Sequence, residues 1–411
     1  MTDPSAAIED LFRREWASLI AMLARRFGPS HLDLAEDVVQ EALERAMSAW
    51  RLGLPTHPKA WIVQTAKRCA IDRLRHLQRA DRLTEAALDV ALANLSPEED
   101  ASNQLAMMFS LCDEDLGSET HVTLILRFLC GFGPREIAHA FIVDTATIDR
   151  RLHRGKERLR TLGTLADVSD SAVIARRLPS VLCALYLMFN EGYQGSDHEQ
   201  PIHPALCRYA LQLAELLLDD AAISRPEIHA LAALFCLHAA RLSTRLDDHG
   251  VFLRLAEQDR TRWDQQLISR GVLHLSQSAA GDQMTRWHLE AAIAAEHALA
   301  PSLAETNWSR IVALYEELRR ESPSPVVEIG HAMAVAELRG VAAGRAALDQ
   351  LDPSRQLARY PFFWAARAEL EVRAGNPAAA RELYTQARAL ARNSAERDAY
   401  DRQLEMLGAH R

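Results

Sequence analysis

The 411-residue sequence has little that would support redox, metal or covalent chemistry. Its six cysteines, Cys69, Cys112, Cys130, Cys183, Cys207 and Cys236, are scattered with no CxxC pair. That spacing excludes a disulfide framework and suits small buried hydrophobes in a reducing compartment. The sixteen histidines form no tight ligand set: His198 and His203 lie five apart, His288 and His297 nine apart. HExxH, a Gly-rich phosphate loop and a GxSxG elbow are all missing, so no enzyme activity, cofactor or metal is expected. No uncharged apolar run reaches the ~18 residues that span a bilayer. The start, MTDPSAAIEDLF, has no basic segment followed by an apolar one, so the expectation is a cytoplasmic protein without membrane attachment.

Alternating β-branched patterns are scarce as well. Apolar residues recur instead with a 3.6-residue period almost throughout, which predicts an all-α chain of two or three domains. Although the net charge is −9, the positive charge is concentrated. Residues 59–82 hold seven basic and two acidic side chains, and residues 150–160 hold six and one, a local excess of five in each. Two separated basic helices in an acidic chain suggest two contacts with nucleic acid rather than indiscriminate coating.

The second basic stretch lies in PREIAHAFIVDTATIDRRLHRGKERLR, Pro134 to Arg160. Pro134 suits a first helical turn, and Ile137, Ala138 and Phe141 share one face. Asp144 can cap a second helix starting at Thr145, with Ile148, Leu152 and Leu159 facing inward. The pattern is that of a helix-turn-helix. The N-terminal part of its second helix would enter the major groove, making Thr145, Thr147, Asp149, Arg150 and His153 candidates for base edges. Arg151, Arg154, Lys156, Arg158 and Arg160 would hold phosphates, which give affinity without sequence information.

Near the N-terminus, Leu34, Val38, Ala42, Ala46 and Trp50 predict an apolar helix stripe, with Glu36, Asp37, Gln40, Glu41 and Glu44 opposite it. The next helix, 59–79, turns Ile62, Val63, Ala66, Ala70, Leu74 and Leu77 inward and carries Gln64, Lys67, Arg68, Arg75 and Arg79 outward. Trp50 and Trp61 fall on apolar stripes, which favours the core over a role in stacking on bases. Turn signals place boundaries near 82, 103 and 170.

The run DLAEDVVQEALERAMSAW, a short loop and PKAWIVQTAKRCAIDRLR together resemble region 2 of the extracytoplasmic-function (ECF) sigma factors of the sigma-70 family. LILRFLCGFGPREIAHAFIVDTATIDRRLHRGKERLR resembles their region 4, in the right order and at the right separation. Gly131-Phe132-Gly133, His139 and the acidic Asp113-Glu114-Asp115 depart from the usual pattern. RRLPSVLCALYLMFNEGYQGS, WHLEAAIAAEHA and ETNWSRIVALYEELRRESPSPVVEIGHAMAVA resemble the long C-terminal extension of one ECF subgroup, built of TPR-like helical hairpins. The resemblance implies region 2 over 1–82, a linker over 83–103, a region 4 helix-turn-helix over 104–165 and the extension over 170–411.

The same resemblance implies that Asp37, Gln40, Glu41 and Glu44 dock on the β′ coiled coil of core RNA polymerase, with the β flap as a further contact. Lys67, Arg68, Arg73, Arg75 and Arg79 would grip the −10 element of promoter DNA, and the loop 51–58 would receive a flipped base. Region 4 would read the −35 element as duplex, through the second-helix residues named above. The acidic linker is either threaded through the polymerase cleft or a tether.

In the C-terminal part, Trp364, Ala380, Tyr384 and Ala387 match the TPR pattern, and Trp308, Ile311 and Tyr315 echo it. Stacked hairpins of this kind make a helical array, and the resemblance to the ECF subgroup implies that this array regulates the sigma core in cis. Whether its partner is a protein or a small molecule is left open. Asn190 to Tyr193 ends an apolar helix, with Gly192 available for a left-handed cap. Two other readings compete with the sigma factor. One is a helix-turn-helix regulator with a TPR-like sensing domain and no polymerase contact; the other is a helical scaffold for acidic proteins.

Overall fold

Gly28 ends the first long helix and redirects the chain: at φ +83° it occupies a backbone region that favours glycine. In the computed structural model, which describes residues 4–50, 54–77, 97–141, 143–195, 201–351 and 357–409, regular structure is helical. The described residues contain no strand, only one isolated bridge between Leu246 and Phe252. The all-α class follows from the 3.6-residue apolar period. Two compact units divide the chain, one of 1–188 with 219–224, the other of 189–218 with 225–411.

In the first unit, α1 (Pro4–Phe27) packs against α2 (Leu32–Ala49), and α2 against α3 (Pro58–Leu77). Val38, Ala42 and Ala46 of the predicted α2 stripe are fully buried, and Leu34 is half-buried. Trp50 is buried edge-on against Trp61, ring centres 5.4 Å apart, and tilted on Phe12. Those two tryptophans serve the core, as their stripe positions suggested.

The helices α4 (Pro97–Leu111), α5 (Ser118–Phe128), α6 (Pro134–Phe141) and α7 (Thr145–Arg160) complete most of this unit. The side chain of Asp144 accepts a hydrogen bond of 2.6 Å from the Thr147 amide, the expected N-cap. Ile137, Ala138, Ile148, Leu152 and Leu159 are buried, and the side chain of Phe141 lies outside the described residues. Where α7 crosses α5, Gly155 meets Leu124 so closely that a Cβ at 155 would sit 2.6–2.9 Å from the leucine side chain.

The helix α8 (Ser171–Tyr193) is long and apolar enough, by length and composition, to cross a membrane. Core helices meet the same criterion, and here Ile174, Leu178, Val181, Leu185 and Met188 are buried. Arg177 donates to the Phe109 carbonyl at 2.9 Å and pairs with Asp113 at 3.1 Å, fastening α8 to α4 and the turn after it. The division between the units falls inside α8, after Met188.

The second unit runs from the end of α8 through α9 (Pro204–Asp219), α10 (Pro226–Ala239), α11 (Gln265–Ser278), α12 (Arg286–Leu299), α13 (Trp308–Glu321), α14 (Pro325–Arg339), α15 (Val341–Asp349), α16 (Pro361–Arg373), α17 (Pro377–Ala389) and α18 (Ser394–Ala409). From α10 onward each helix packs on the next in sequence. Ala380, Tyr384 and Ala387 are buried, the small-large-small pattern that lets α17 lie close to α16 and α18. One expectation needs correction. Gly192 is helical and has no left-handed backbone. Its missing side chain instead admits the chain at 203–207, since a Cβ would lie 2.9 Å from the His203 carbonyl oxygen and the Cys207 nitrogen.

Candidate nucleic-acid interface

The acidic helix α2 and the basic helices α3 and α7 meet within the first unit, and their charges are largely set against one another. Arg73 of α3 pairs with Asp37 at 2.8 Å and with Glu41 at 3.5 Å, so one candidate DNA contact is held by two candidate docking acids. Glu41 also pairs with Arg45, and Gln40 donates to Glu44 at 3.0 Å. Asp37, Gln40 and Glu44 are exposed, and Glu41 is half-buried. On α3, Arg68 is exposed and Lys67 half-buried. The side chain of Arg75, residues 78–82 with Arg79 among them, loop positions 51–53 and linker positions 83–96 lie outside the described residues.

Glu36 is the clearest departure from the expected acidic face. It points inward, 6% exposed, and accepts from Arg127 at 2.6 Å and Lys156 at 2.6 Å. A carboxylate this buried persists because two cations offset its desolvation. Arg127 also donates to the Phe132 carbonyl, which ties the Gly131-Phe132-Gly133 turn into the same network.

The C-terminal half of α7 joins that network. Lys156 reaches Asp33 at 2.7 Å as well as Glu36, and lies 5.6 Å from the centre of the Phe128 ring. Arg160 pairs with Asp33 at 2.8 Å. Arg158 pairs with Asp113 at 2.6 Å and Asp115 at 2.7 Å, while Arg176 holds Glu114. The acidic triplet that departs from the region 4 pattern therefore has a structural role: it binds α7 and α8. Arg151 pairs with Glu119 of α5.

The N-terminal half of α7 is differently placed. Asp149, Arg150, His153 and Arg154 are exposed, and Thr145 and Thr147 are half-exposed beside them. Arg150 is steadied by the Thr147 hydroxyl at 2.9 Å. The base-edge candidates thus share one accessible surface. Of the phosphate candidates on the same helix, Arg154 is exposed, whereas Arg151, Lys156 and Arg158 are engaged by carboxylates.

The titration behaviour follows this geometry. Burial works to raise the Asp33 carboxyl, but hydrogen bonds from Lys156 and Arg160 outweigh it and hold the group below its ordinary range. Asp113 is lowered in the same way, burial being outweighed chiefly by Arg158. Burial would lower the Lys156 ammonium, yet the charge of Glu36 and the bonds to Asp33 and Glu36 raise it. Each group is stabilised in its charged form by the partner it meets.

The sequence did not reveal the inward position of Glu36 or the role of Asp33. The only signal was their spacing: Asp33 and Glu36 stand three apart at the start of α2, on one helix face.

Residues 12–80, which contain α2, α3 and the last two-thirds of α1, match the family model for sigma-70 region 2. Residues 177–279 match a family of unknown function, DUF6596. An uncharacterised protein of Rhizobium meliloti (strain 1021) is 32% identical over 388 residues, covering 92% of this chain and 91% of that protein. No solved structure matches. The chain carries a sigma-70 region 2 domain at its N-terminal end and belongs, with the Rhizobium meliloti protein, to a single family whose likeness runs along nearly the whole sequence.

Proposed function

We propose that the protein is an ECF-type sigma factor that binds core RNA polymerase, recognises −10 and −35 promoter elements and is regulated in cis by its TPR-like C-terminal extension. The observation that carries this reading is the pairing, inside the segment matched to sigma-70 region 2, of an exposed acidic edge on α2 with a basic face on α3. In this reading Asp37, Gln40, Glu41 and Glu44 dock on the β′ coiled coil. Lys67, Arg68, Arg73, Arg75 and Arg79 hold the opening strand at the −10 element, where basic surface and stacking are needed. Thr145, Thr147, Asp149, Arg150 and His153 read the −35 duplex in its major groove. Arg151, Arg154, Lys156 and Arg158 supply phosphate contacts once free. Such a factor acts in the cytoplasm.

The described conformation would then be a closed one. Elements centred at −35 and −10 are about 25 base pairs apart, roughly 85 Å of duplex at ~3.4 Å per pair. Helices joined by ion pairs of 2.6–2.8 Å cannot span that distance, so promoter engagement requires α7 to leave α2. Asp33, Glu36, Asp113 and Asp115 offer α7 the same kind of oxygen anion that DNA phosphates would, and opening exchanges one set for the other.

The test is transcription by core bacterial RNA polymerase with the purified full-length chain, on promoters upstream of its gene neighbours. Specific initiation is expected. If the chain neither supports initiation nor forms a stable complex with core polymerase, the reading fails in favour of a polymerase-independent helix-turn-helix regulator.

A further inference from the structure

The second unit contains a half-open cavity of about 370 Å³, within the ~300–1,000 Å³ typical of small-molecule sites. Its wall is mostly apolar and aromatic, with Phe252, Met333, Phe362, Ala366, Ala399 and Tyr400 among the lining side chains. Charged groups also face it, and all but one of them are matched. Glu257 and Glu369 are both held by Arg254, at 2.7 Å each, and Tyr384 adds a hydroxyl donor to Glu369. Glu396 is held by Arg392 and by Gln194, and Arg402 by Asp247.

The exception is Arg245. It is 8% exposed, lines the cavity, and forms no ion pair among the described residues. Its guanidinium lies over the Tyr193 ring, 3.7 Å from the ring centre, and 5.2 Å from the centre of the Phe252 ring. One N–H group donates to the Tyr193 carbonyl at 2.8 Å, and the Tyr193 side chain is its other polar neighbour. A second arginine, Arg241, donates to the Tyr193 hydroxyl and likewise forms no ion pair among the described residues. The backbone bond from Leu253 N to the Arg245 carbonyl, 2.8 Å, and the Leu246–Phe252 bridge fix this turn.

A buried cation without a counter-charge is costly, and one built into a cavity wall is a common mark of a site that receives its counter-charge from a ligand. Burial, reinforced by Arg241 and opposed by Tyr193, pulls the Arg245 guanidinium down from its ordinary value, the direction an anion would reverse. The planar fork of an arginine matches a carboxylate by two parallel hydrogen bonds.

We propose that this cavity binds a small organic carboxylate, its apolar body seated among Phe252, Met333, Phe362 and Tyr400 and its carboxylate paired with Arg245. The site is independent of the sigma-factor reading, since it lies wholly within the second unit and requires neither DNA nor polymerase.

The test is calorimetric titration of the full-length chain with phenylbutyrate, hexanoate and indoleacetate, alongside phenylbutanol as the neutral counterpart of the first. At least one acid should bind saturably, and phenylbutyrate at least about tenfold more tightly than the alcohol, the discrimination a charge-assisted pair supplies. Arg245→Gln should bring phenylbutyrate down to the affinity of the alcohol while leaving the alcohol unchanged. Ala399→Phe, which fills the cavity without touching the arginine, should abolish binding of both. Should Arg245→Gln fail to fold by circular dichroism, the acid–alcohol contrast and Ala399→Phe decide the matter. Absence of saturable binding by any of the three acids, equal affinity for acid and alcohol, or full binding by Ala399→Phe would each overturn the proposal.

Discussion

In α7, Asp149, Arg150, His153 and Arg154 stand exposed, whereas Lys156, Arg158 and Arg160, one or two turns later, are each held by a carboxylate from elsewhere in the unit. The two halves have similar composition and differ in what faces them. Exposure of the first half keeps the base-reading candidates accessible even in the closed state. Pairing of the second half, together with the Arg151–Glu119 pair in the first, occupies four positive charges, and in the proposed reading DNA affinity would depend on a competition between carboxylates and DNA. A basic run counted from sequence therefore overstates the charge available to nucleic acid.

Four experiments would break or sharpen this contrast. The largest effect is expected from Asp37→Lys combined with Glu41→Lys, which should abolish co-purification with core polymerase. Because both acids also hold Arg73, the comparison with Arg73→Ala is informative: that variant should retain polymerase binding and lose promoter opening. If the double variant still co-purifies, the docking assignment is wrong.

Next in size, Glu36→Ala leaves Arg127 and Lys156 without their shared buried carboxylate. Removing one member of a buried pair costs about 3 kcal/mol at the low end of the usual range, the end appropriate here because Lys156 keeps 22% side-chain exposure. Urea unfolding should show a loss near that size, and an unchanged midpoint would contradict the buried network. Gly155→Val should cost about 1–3 kcal/mol by overpacking against Leu124, since the new side chain would meet the leucine at its branch point. Hydrogen exchange along α7 should rise, with α1 and α3 unaffected.

The smallest effect separates the two halves directly. Arg154→Ala should reduce the salt dependence of DNA binding by about one unit, as expected for one lost phosphate contact. Arg158→Ala should do so by less in the isolated protein, because Asp113 and Asp115 already engage that side chain. Equal slopes for the two variants would show that the closed state does not compete with DNA.

Acidity gives a further handle on the same ion pairs. Asp33 and Asp113 have lowered values in the fold, so their contribution is full above the ordinary 3.8 and is lost as pH falls through the lower folded values. Lys156 is raised, so its contribution is full below 10.5 and is lost as pH rises through its higher folded value. The attachment of α7 should hold across the whole neutral range and loosen only in strong acid or strong base.

Local rules made much of the fold legible. The limits of α6, the Asp144 cap and the buried faces of α7 follow from proline, capping and periodicity, which act within a few residues. Trp50 could be placed in the core by its stripe. What could not be read depends on partners distant in sequence. Glu36 looks like any exposed helical acid until Arg127 and Lys156 arrive from residues about a hundred positions away, and Arg73 looks like a free DNA contact until α2 lies beside α3. Gly192 invited a capping role because it ends an apolar run, when its smallness serves the approach of 203–207. Arg245 belongs to no motif, and its significance comes only from the cavity around it. The structure also bears on experimental design: a cut after Thr164 would remove α8, whose Arg177 and buried apolar face belong to the first unit.

The crossing of Gly155 over Leu124 carries an evolutionary consequence. Because Leu124 occupies the space that a side chain at 155 would need, positions 124 and 155 should drift together. A relative with alanine or serine at 155 should carry a shorter side chain at 124. One with a large residue at both should have moved α7, and with it the register at which, in the proposed reading, its exposed half would meet DNA.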